Sequence, residues 1–275
     1  MGHKPAIPTS SYGILQRDVL NSTYEEAAEQ VRRFGYAVID SELSESQIAE
    51  IADAFDSVDQ KYKLEWGQEY LESINEHDTI RLPLIYDRLF LSLALNEALH
   101  EVVSLLIPGM YVLNQQNGVI NPVGRSYNQG AWHRDLPYQH FVSDVPLAIN
   151  ALFCVDDFTL ENGATHVIPF SHKTASFPSD RFVEVNSTQV IARRGMFIVL
   201  DCMLFHAGGV NISKNPRRAV NHVFTIPNFR QQICIERCID VKSLSAKEQT
   251  LLGISNAEPQ SIEDFFNRRT AKRHG

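Results

Sequence analysis

The segment Trp132-His133-Arg134-Asp135 places an imidazole and a carboxylate two positions apart. On a strand, side chains at i and i+2 leave the same face, so His133 and Asp135 can present a nitrogen and an oxygen to one metal ion. A second imidazole would complete a facial triad of two histidines and one carboxylate, the ligand set of non-haem Fe(II) oxygenases. His206 is the best candidate. It stands in Asp201-Cys202-Met203-Leu204-Phe205-His206-Ala207-Gly208-Gly209, where a histidine shortly before two glycines at a strand end belongs to a rim rather than a core. Such a triad leaves half the octahedral positions open, two for a bidentate 2-oxo acid and one for dioxygen. Downstream, Arg217 and Arg218 open Asn215-Pro216-Arg217-Arg218-Ala219-Val220. One planar guanidinium on a pocket wall suits two-point capture of a carboxylate, here the distal carboxylate of 2-oxoglutarate. Each signal alone is weak. A His-x-Asp arises by chance, a histidine near a strand end is usually a satisfied polar residue, and an Arg-Arg pair is usually a solvated face. Their order along a β-rich background carries the case.

The elements that must position these residues follow from periodicity. The first part of the chain is helical in pattern. Thr23-x-x-Glu26 and Ser44-x-x-Gln47 look like capping boxes, each followed by an apolar stripe at helical spacing. Gly35 suits the left-handed residue that ends the first helix, and Tyr36-Ala37-Val38-Ile39 reads as a short buried strand. A third stripe runs from Leu95 to Leu106 and stops at Pro108-Gly109. From residue 110 short runs rich in Val, Ile, Phe and Thr alternate with turn residues. They predict strands over 110–113, 119–121, 131–135, 147–155, 166–168, 190–192, 196–200 and 218–226, a jelly-roll pattern. Helices return over 245–252, behind the capping box Ser245-x-x-Glu248, and over 261–269. The expected organisation is one domain over 1–275: a helical layer over about 20–107, a jelly-roll core over about 110–228 and a helical extension over about 229–275. The stretch 61–85 has no clear period; Trp66, Tyr70, His77 and Arg81 there suggest a lid or an irregular helix.

Composition narrows the partners. The chain has 275 residues, 44% of them apolar, enough for a real core. A net charge of −8 argues against nucleic acid, which needs a basic face, and against an anionic membrane surface. No apolar stretch approaches a bilayer span and the first residues carry no secretory h-region, so the expected location is cytoplasmic, with Cys154, Cys202, Cys234 and Cys238 reduced. Cys234 and Cys238 lack flanking ligands at zinc-site spacing. The basic run 268–273 reads as a solvated end. A small-molecule partner and a monomer or homodimer are expected.

With these motifs in place, the chain resembles the phytanoyl-CoA dioxygenase family of Fe(II)/2-oxoglutarate-dependent oxygenases over roughly 23–228. Phe34-Gly35-Tyr36-Ala37-Val38-Ile39 with Leu43-Ser44-Glu45-Ser46-Gln47 is similar to the family's opening, and His133-x-Asp135 to its iron motif. Asp157-Phe158-Thr159-Leu160-Glu161-Asn162-Gly163-Ala164, followed by Ile168-Pro169-Phe170-Ser171-His172-Lys173, is similar to its hairpin segment, and His206 with Arg217 to its distal pair. The resemblance implies a mainly β fold with flanking helices, a double-stranded β-helix (cupin-like jelly roll). It implies iron on His133, Asp135 and His206, and 2-oxoglutarate on Arg217 with amide help from Gln116 and Asn121. Two positions depart from the pattern. Gly208 stands where some members carry a hydroxyl, and Phe170 where a glycine is common. His172 reads as a structural histidine. Because Asp135 fills the position that halogenases of this superfamily leave to chloride, hydroxylation or a related oxidation is expected. Arg134, Tyr138, Gln139 and His140 are expected at the pocket mouth, as polar residues suited to a small polar metabolite or natural-product intermediate rather than a long acyl chain. Two other readings compete: a cupin-like metal and 2-oxo-acid binding protein without oxidative turnover, and a metal-dependent isomerase or hydrolase, whose sites commonly use more histidines.

Overall fold

The computed structural model describes residue 7 and residues 18–136 and 142–274, with side chains to 270. Its strands in chain order are β1 (Tyr36–Asp40), β2 (Thr79–Arg81), β3 (Val112–Asn121), β4 (Ala148–Cys154), β5 (His166–Val167), β6 (Thr188–Gln189), β7 (Met196–Asp201), β8 (His206–Ala207) and β9 (Arg217–Thr225). Six of them form one antiparallel sheet in the order β1-β7-β4-β9-β3-β2. A small sheet, β6-β5-β8, faces it and is extended by a bridge between His133 and His206. The two sheets enclose an apolar core that includes Cys154, Phe158, Val167, Ile198, Leu200 and Ala219. The architecture is the double-stranded β-helix, a cupin-like jelly roll.

Alternation along the large sheet decides what reaches that interior. On β9, Arg217, Ala219, Asn221 and Val223 face inward, opposite Asn121, Val119, Asn117 and Gln115 of β3. Arg218, Val220, His222 and Phe224 face outward. That outer face packs on the helices α1 (Thr23–Phe34), α2 (Glu45–Trp66), α3 (Gln68–Ser73), α4 (Arg88–Ala94) and α5 (Glu97–Leu106) through a core containing Phe55, Phe90, Leu99, Val103, Phe153 and Phe224. The same core takes in Leu251 of α7 (Ala246–Leu251); α6 (Asp180–Asn186) buries no residue of its own, nor does α8 (Ile262–His274) over 262–270. Among the described residues no single helix is long and apolar enough to cross a membrane.

Capping explains the helix boundaries. Ser44 and Ser245 make the expected reciprocal boxes with Gln47 and Glu248. The first helix starts one residue earlier than the sequence pattern suggested, with Ser22 accepting from the Glu25 amide, and Gly35 closes it at φ 92°. The stripe 95–106 divides at Leu95, because Asn96 caps a separate α5 by accepting from the Leu99 amide. The stretch 61–85 is scaffold rather than lid: α2 runs on to Trp66, α3 follows, and β2 edges the large sheet. Expected strands 110–113 and 119–121 are one long β3, and β6 lies just before the expected 190–192. Phe170 keeps a glycine-like backbone, φ 68°, while its ring packs 5.4 Å from that of Phe34.

Candidate active site

His133, Asp135 and His206 converge. One ligand atom from each lies within 4.8 Å of the others. His133 Nε2 is 3.9 Å from Asp135 Oδ1, and His206 Nε2 is 3.7 Å from Asp135 Oδ2. The second ring nitrogens face the protein. Nδ1 of His133 meets the Ala131 carbonyl at 2.7 Å, and Nδ1 of His206 meets the Leu204 carbonyl at 3.1 Å. A carbonyl can only accept, so each Nδ1 carries a hydrogen and each Nε2 is the nitrogen turned to the shared point. Burial lowers the pKa of His206 and keeps that ring neutral. Nε2 of His133 is buried with no protein partner. Two imidazole nitrogens and a carboxylate, gathered on one point with one nitrogen left orphaned, suit a divalent metal.

The backbone fixes this geometry. His133 and His206 exchange both main-chain hydrogen bonds, at 2.9 and 3.1 Å, and the Asp135 amide donates to the Cys202 carbonyl at 3.1 Å. Asn150, inward-facing on β4, donates its amide to Asp135 Oδ2 at 2.6 Å and orients the carboxylate.

Arg217 lies on the same interior, 3% exposed. Its Nε donates to the Asn162 carbonyl at 3.3 Å, its Nη2 to the Tyr127 hydroxyl at 3.5 Å, and its guanidinium sits 3.7 Å above the Phe158 ring. Burial pulls its pKa down, and no carboxylate pairs with it among the described residues. Arg218 is the opposite case, held by Asp156 and Asp56 at 2.7 Å each.

Other sequence candidates fall elsewhere. Gln116 faces the helices, one position off the interior alternation. Its amide donates to the Phe90 carbonyl at 2.7 Å and accepts from the Leu84 amide at 3.1 Å, which ties it to the segment 84–90. Asn121 faces inward opposite Arg217, but its amide nitrogen donates to Gly209 and Gly163 carbonyls at 2.9 and 3.3 Å; only its buried Oδ1 is unpartnered. The expected strand 131–135 is present only as the isolated bridge at His133, and Arg134 points away from His133 and Asp135. It donates to the carbonyls of Ser171, Thr174 and Ala175 and lies over Phe205, so it ties down a loop rather than lining a pocket mouth. Tyr138, Gln139 and His140 lie outside the described residues. His172 hydrogen-bonds the Arg32 carbonyl, as a structural histidine would. Of the supposed lid, Arg81 reaches the inner face of β3, donating to Asn117 Oδ1 at 3.3 Å.

Four neighbours of the site were not singled out from sequence: Asn150, Tyr127, Asn117 and Asn221. Counting alternate residues back from Cys154 or out from Arg217 marks Asn150, Asn117 and Asn221 as inward. Tyr127 comes from an irregular loop, which no periodicity could place.

Solved structures define the class of fold. EctD from S. alaskensis, crystallised with 2-oxoglutarate and 5-hydroxyectoine, superposes with a TM-score of 0.61 at 20% identity, over 77% of this chain and 78% of that one. The epimerase SnoN, in complex with Fe3+, alpha-ketoglutarate and nogalamycin RO, gives 0.57 at 17% identity, over 81% and 91%. The chain belongs to the phytanoyl-CoA dioxygenase (PhyH) family, whose model matches residues 31–219. It is also 30% identical to the uncharacterized protein Rv1501 of Mycobacterium tuberculosis, over 90% of this chain and 92% of that protein.

Proposed function

We propose that the protein is an Fe(II)/2-oxoglutarate-dependent oxygenase that hydroxylates, or otherwise oxidises, a small polar metabolite or natural-product intermediate, with release of succinate and carbon dioxide. The observation that carries this reading is the triad, in which two imidazoles and a carboxylate converge within 4.8 Å. In this reading His133, Asp135 and His206 hold the iron, and Arg217 holds the distal carboxylate of 2-oxoglutarate. Dioxygen is the oxidant: bound iron, with 2-oxoglutarate giving up two electrons as it becomes succinate and carbon dioxide, would activate it to attack a C–H bond that no amino-acid side chain could activate.

The chain's own groups have distinct tasks. Asn150 holds Asp135 in register. Arg217, buried with its charge unpaired by any described carboxylate, offers an anion a desolvated partner. The carboxylate of Asp135 occupies a ligand position and so favours hydroxylation over halide transfer. Asn150 and Asn221 turn buried, unpartnered amide oxygens to the inner face, beside Asn117 and Gln115. Acceptors of that kind match a substrate bearing hydroxyl or amine hydrogens rather than an acyl chain. The 5-hydroxyectoine bound by EctD and the nogalamycin RO bound by SnoN are consistent with that choice.

A metabolite screen with Fe(II) and 2-oxoglutarate in air, read by succinate release, tests the reading. Substrate-dependent succinate is expected, and Asp135→Ala is expected to abolish it. Undiminished turnover in that variant would remove Asp135 from the ligand set. Tight 2-oxoglutarate binding without succinate across a broad panel would replace the oxygenase with a binding protein.

A further inference from the structure

Gly208, two residues beyond His206, has no side chain, and the space a side chain would take is filled. An ideal Cβ on Gly208 would lie 1.9 Å from the Tyr127 hydroxyl and 2.6 Å from Cζ of the same ring; its three nearest contacts all belong to Tyr127. The backbone of Gly208 is not in the left-handed region, so a steric reason, not a conformational one, favours glycine there. Main-chain hydrogen bonds hold the two segments together: the Gly208 amide donates to the Gln129 carbonyl at 2.8 Å, and the Gly130 amide to the Tyr127 carbonyl at 2.9 Å.

The hydroxyl so placed is next to Arg217, whose Nη2 donates to it at 3.5 Å. A phenol oxygen that accepts from a guanidinium has its own hydrogen left to donate. Among the described residues no acceptor is recorded for that hydrogen. Burial raises the pKa of Tyr127, so the hydrogen stays on. A neutral O–H donor beside a buried cation without a carboxylate is a two-part anion cradle.

We propose that Tyr127 is the second donor to the distal carboxylate of 2-oxoglutarate, placed from a loop into the side-chain space that Gly208 leaves empty. The proposal rests on the reading of Arg217 given above. It makes Tyr127 and Gly208 a pair, in which the ring brings the hydroxyl and the glycine admits the ring.

The test is calorimetric binding to the anaerobic Fe(II)-loaded full-length protein, with two probes: 2-oxoglutarate, and 2-oxopentanoate, which has the same carbon chain without the distal carboxylate. Tyr127→Phe keeps the ring and is expected to weaken 2-oxoglutarate about tenfold, the worth of one hydrogen bond to a charged group. Binding of 2-oxopentanoate is expected to stay unchanged. Gly208→Ser in the presence of Tyr127 is expected to weaken 2-oxoglutarate, because the new Cβ displaces the ring. Tyr127→Ala with Gly208→Ser vacates that space, restores a hydroxyl nearby, and is expected to bind 2-oxoglutarate more tightly than Tyr127→Ala alone. A preference for 2-oxoglutarate that survives Tyr127→Phe but is lost in Arg217→Ala would overturn this proposal alone. Equal loss of both probes in Tyr127→Phe would also overturn it, by showing a merely structural ring. A wild-type protein with no preference between the probes would overturn both this proposal and the role of Arg217.

Discussion

Arg217 and Arg218 are neighbours in the chain and opposites in the fold. Arg218 leaves β9 toward the helical layer, where Asp156 and Asp56 pair with it and push its pKa up. Arg217 leaves toward the interior, where it meets a carbonyl, a phenol and an aromatic face, and burial pulls its pKa down. A buried charge without its counter-charge is costly. The fold tolerates that cost on one face of the strand and removes it on the other. The difference separates scaffold from site, and burial runs the same way: Arg217 is 3% exposed and the Arg218 side chain 22%.

The widest separation between the two faces is expected from the arginines themselves. Arg217→Ala should weaken 2-oxoglutarate binding roughly a hundredfold, the effect of losing about 2–3 kcal/mol of charged hydrogen bonding. Arg218→Ala should leave that affinity unchanged and lower stability by about 1 kcal/mol, seen as a fall of a few degrees in Tm. Parallel titration and melting of the two variants checks this; a loss of affinity in Arg218→Ala would collapse the contrast. Next in size is Asn150→Ala on the inner face. It frees Asp135 from its orienting amide and should reduce iron affinity by roughly 10-fold or more, measured by competition with a chromogenic chelator.

On the outer face, Gln116→Ala strands the Phe90 carbonyl and the Leu84 amide. The expected result is about 2 kcal/mol of lost stability in denaturant unfolding, with 2-oxoglutarate affinity intact. A further difference lies in pH. His222 is fully buried on the outer face, and desolvation lowers its pKa to about 4. A histidine held neutral by the fold contributes its stability above the unfolded pKa of about 6.5 and loses it as pH falls toward 4, because the unfolded chain takes up the proton first. His100, whose ring lies 5.7 Å from that of Phe224, is shifted in the same direction. Unfolding free energy should therefore decline between pH 6.5 and 4, and more shallowly in His222→Leu; an identical slope in that variant would remove His222 as a source.

The arginine contrast also marks how far sequence reading reaches. The i, i+2 spacing of His133 and Asp135 could be read directly, because strand geometry converts spacing into direction, whereas the choice of Arg217 over Arg218 came with the family resemblance. The same rule, applied consistently, would have turned Arg134 outward. Arg134 lies between two inward residues and must point out. Gln116 has an outward partner in His222, which only the β3–β9 register reveals. Two of the three capping boxes are present as written, since a cap is a local contact. The third slips by one residue, because Ser22 and Thr23 compete for the same role and only the backbone decides. Tyr127 and the true course of 61–85 were not legible. Both depend on contacts across long sequence separations, which periodicity does not encode.

The reciprocal main-chain pair between His133 and His206 has one more consequence. These two residues stand far apart in the sequence, and their reciprocal main-chain bonds hold the rings side by side, 4.3 Å between centroids. The pairing of the two nitrogens is thus set by the sheet rather than by an ion. A metal that binds the folded chain and not the unfolded one then stabilises it by mass action, by an amount that grows with the logarithm of its concentration.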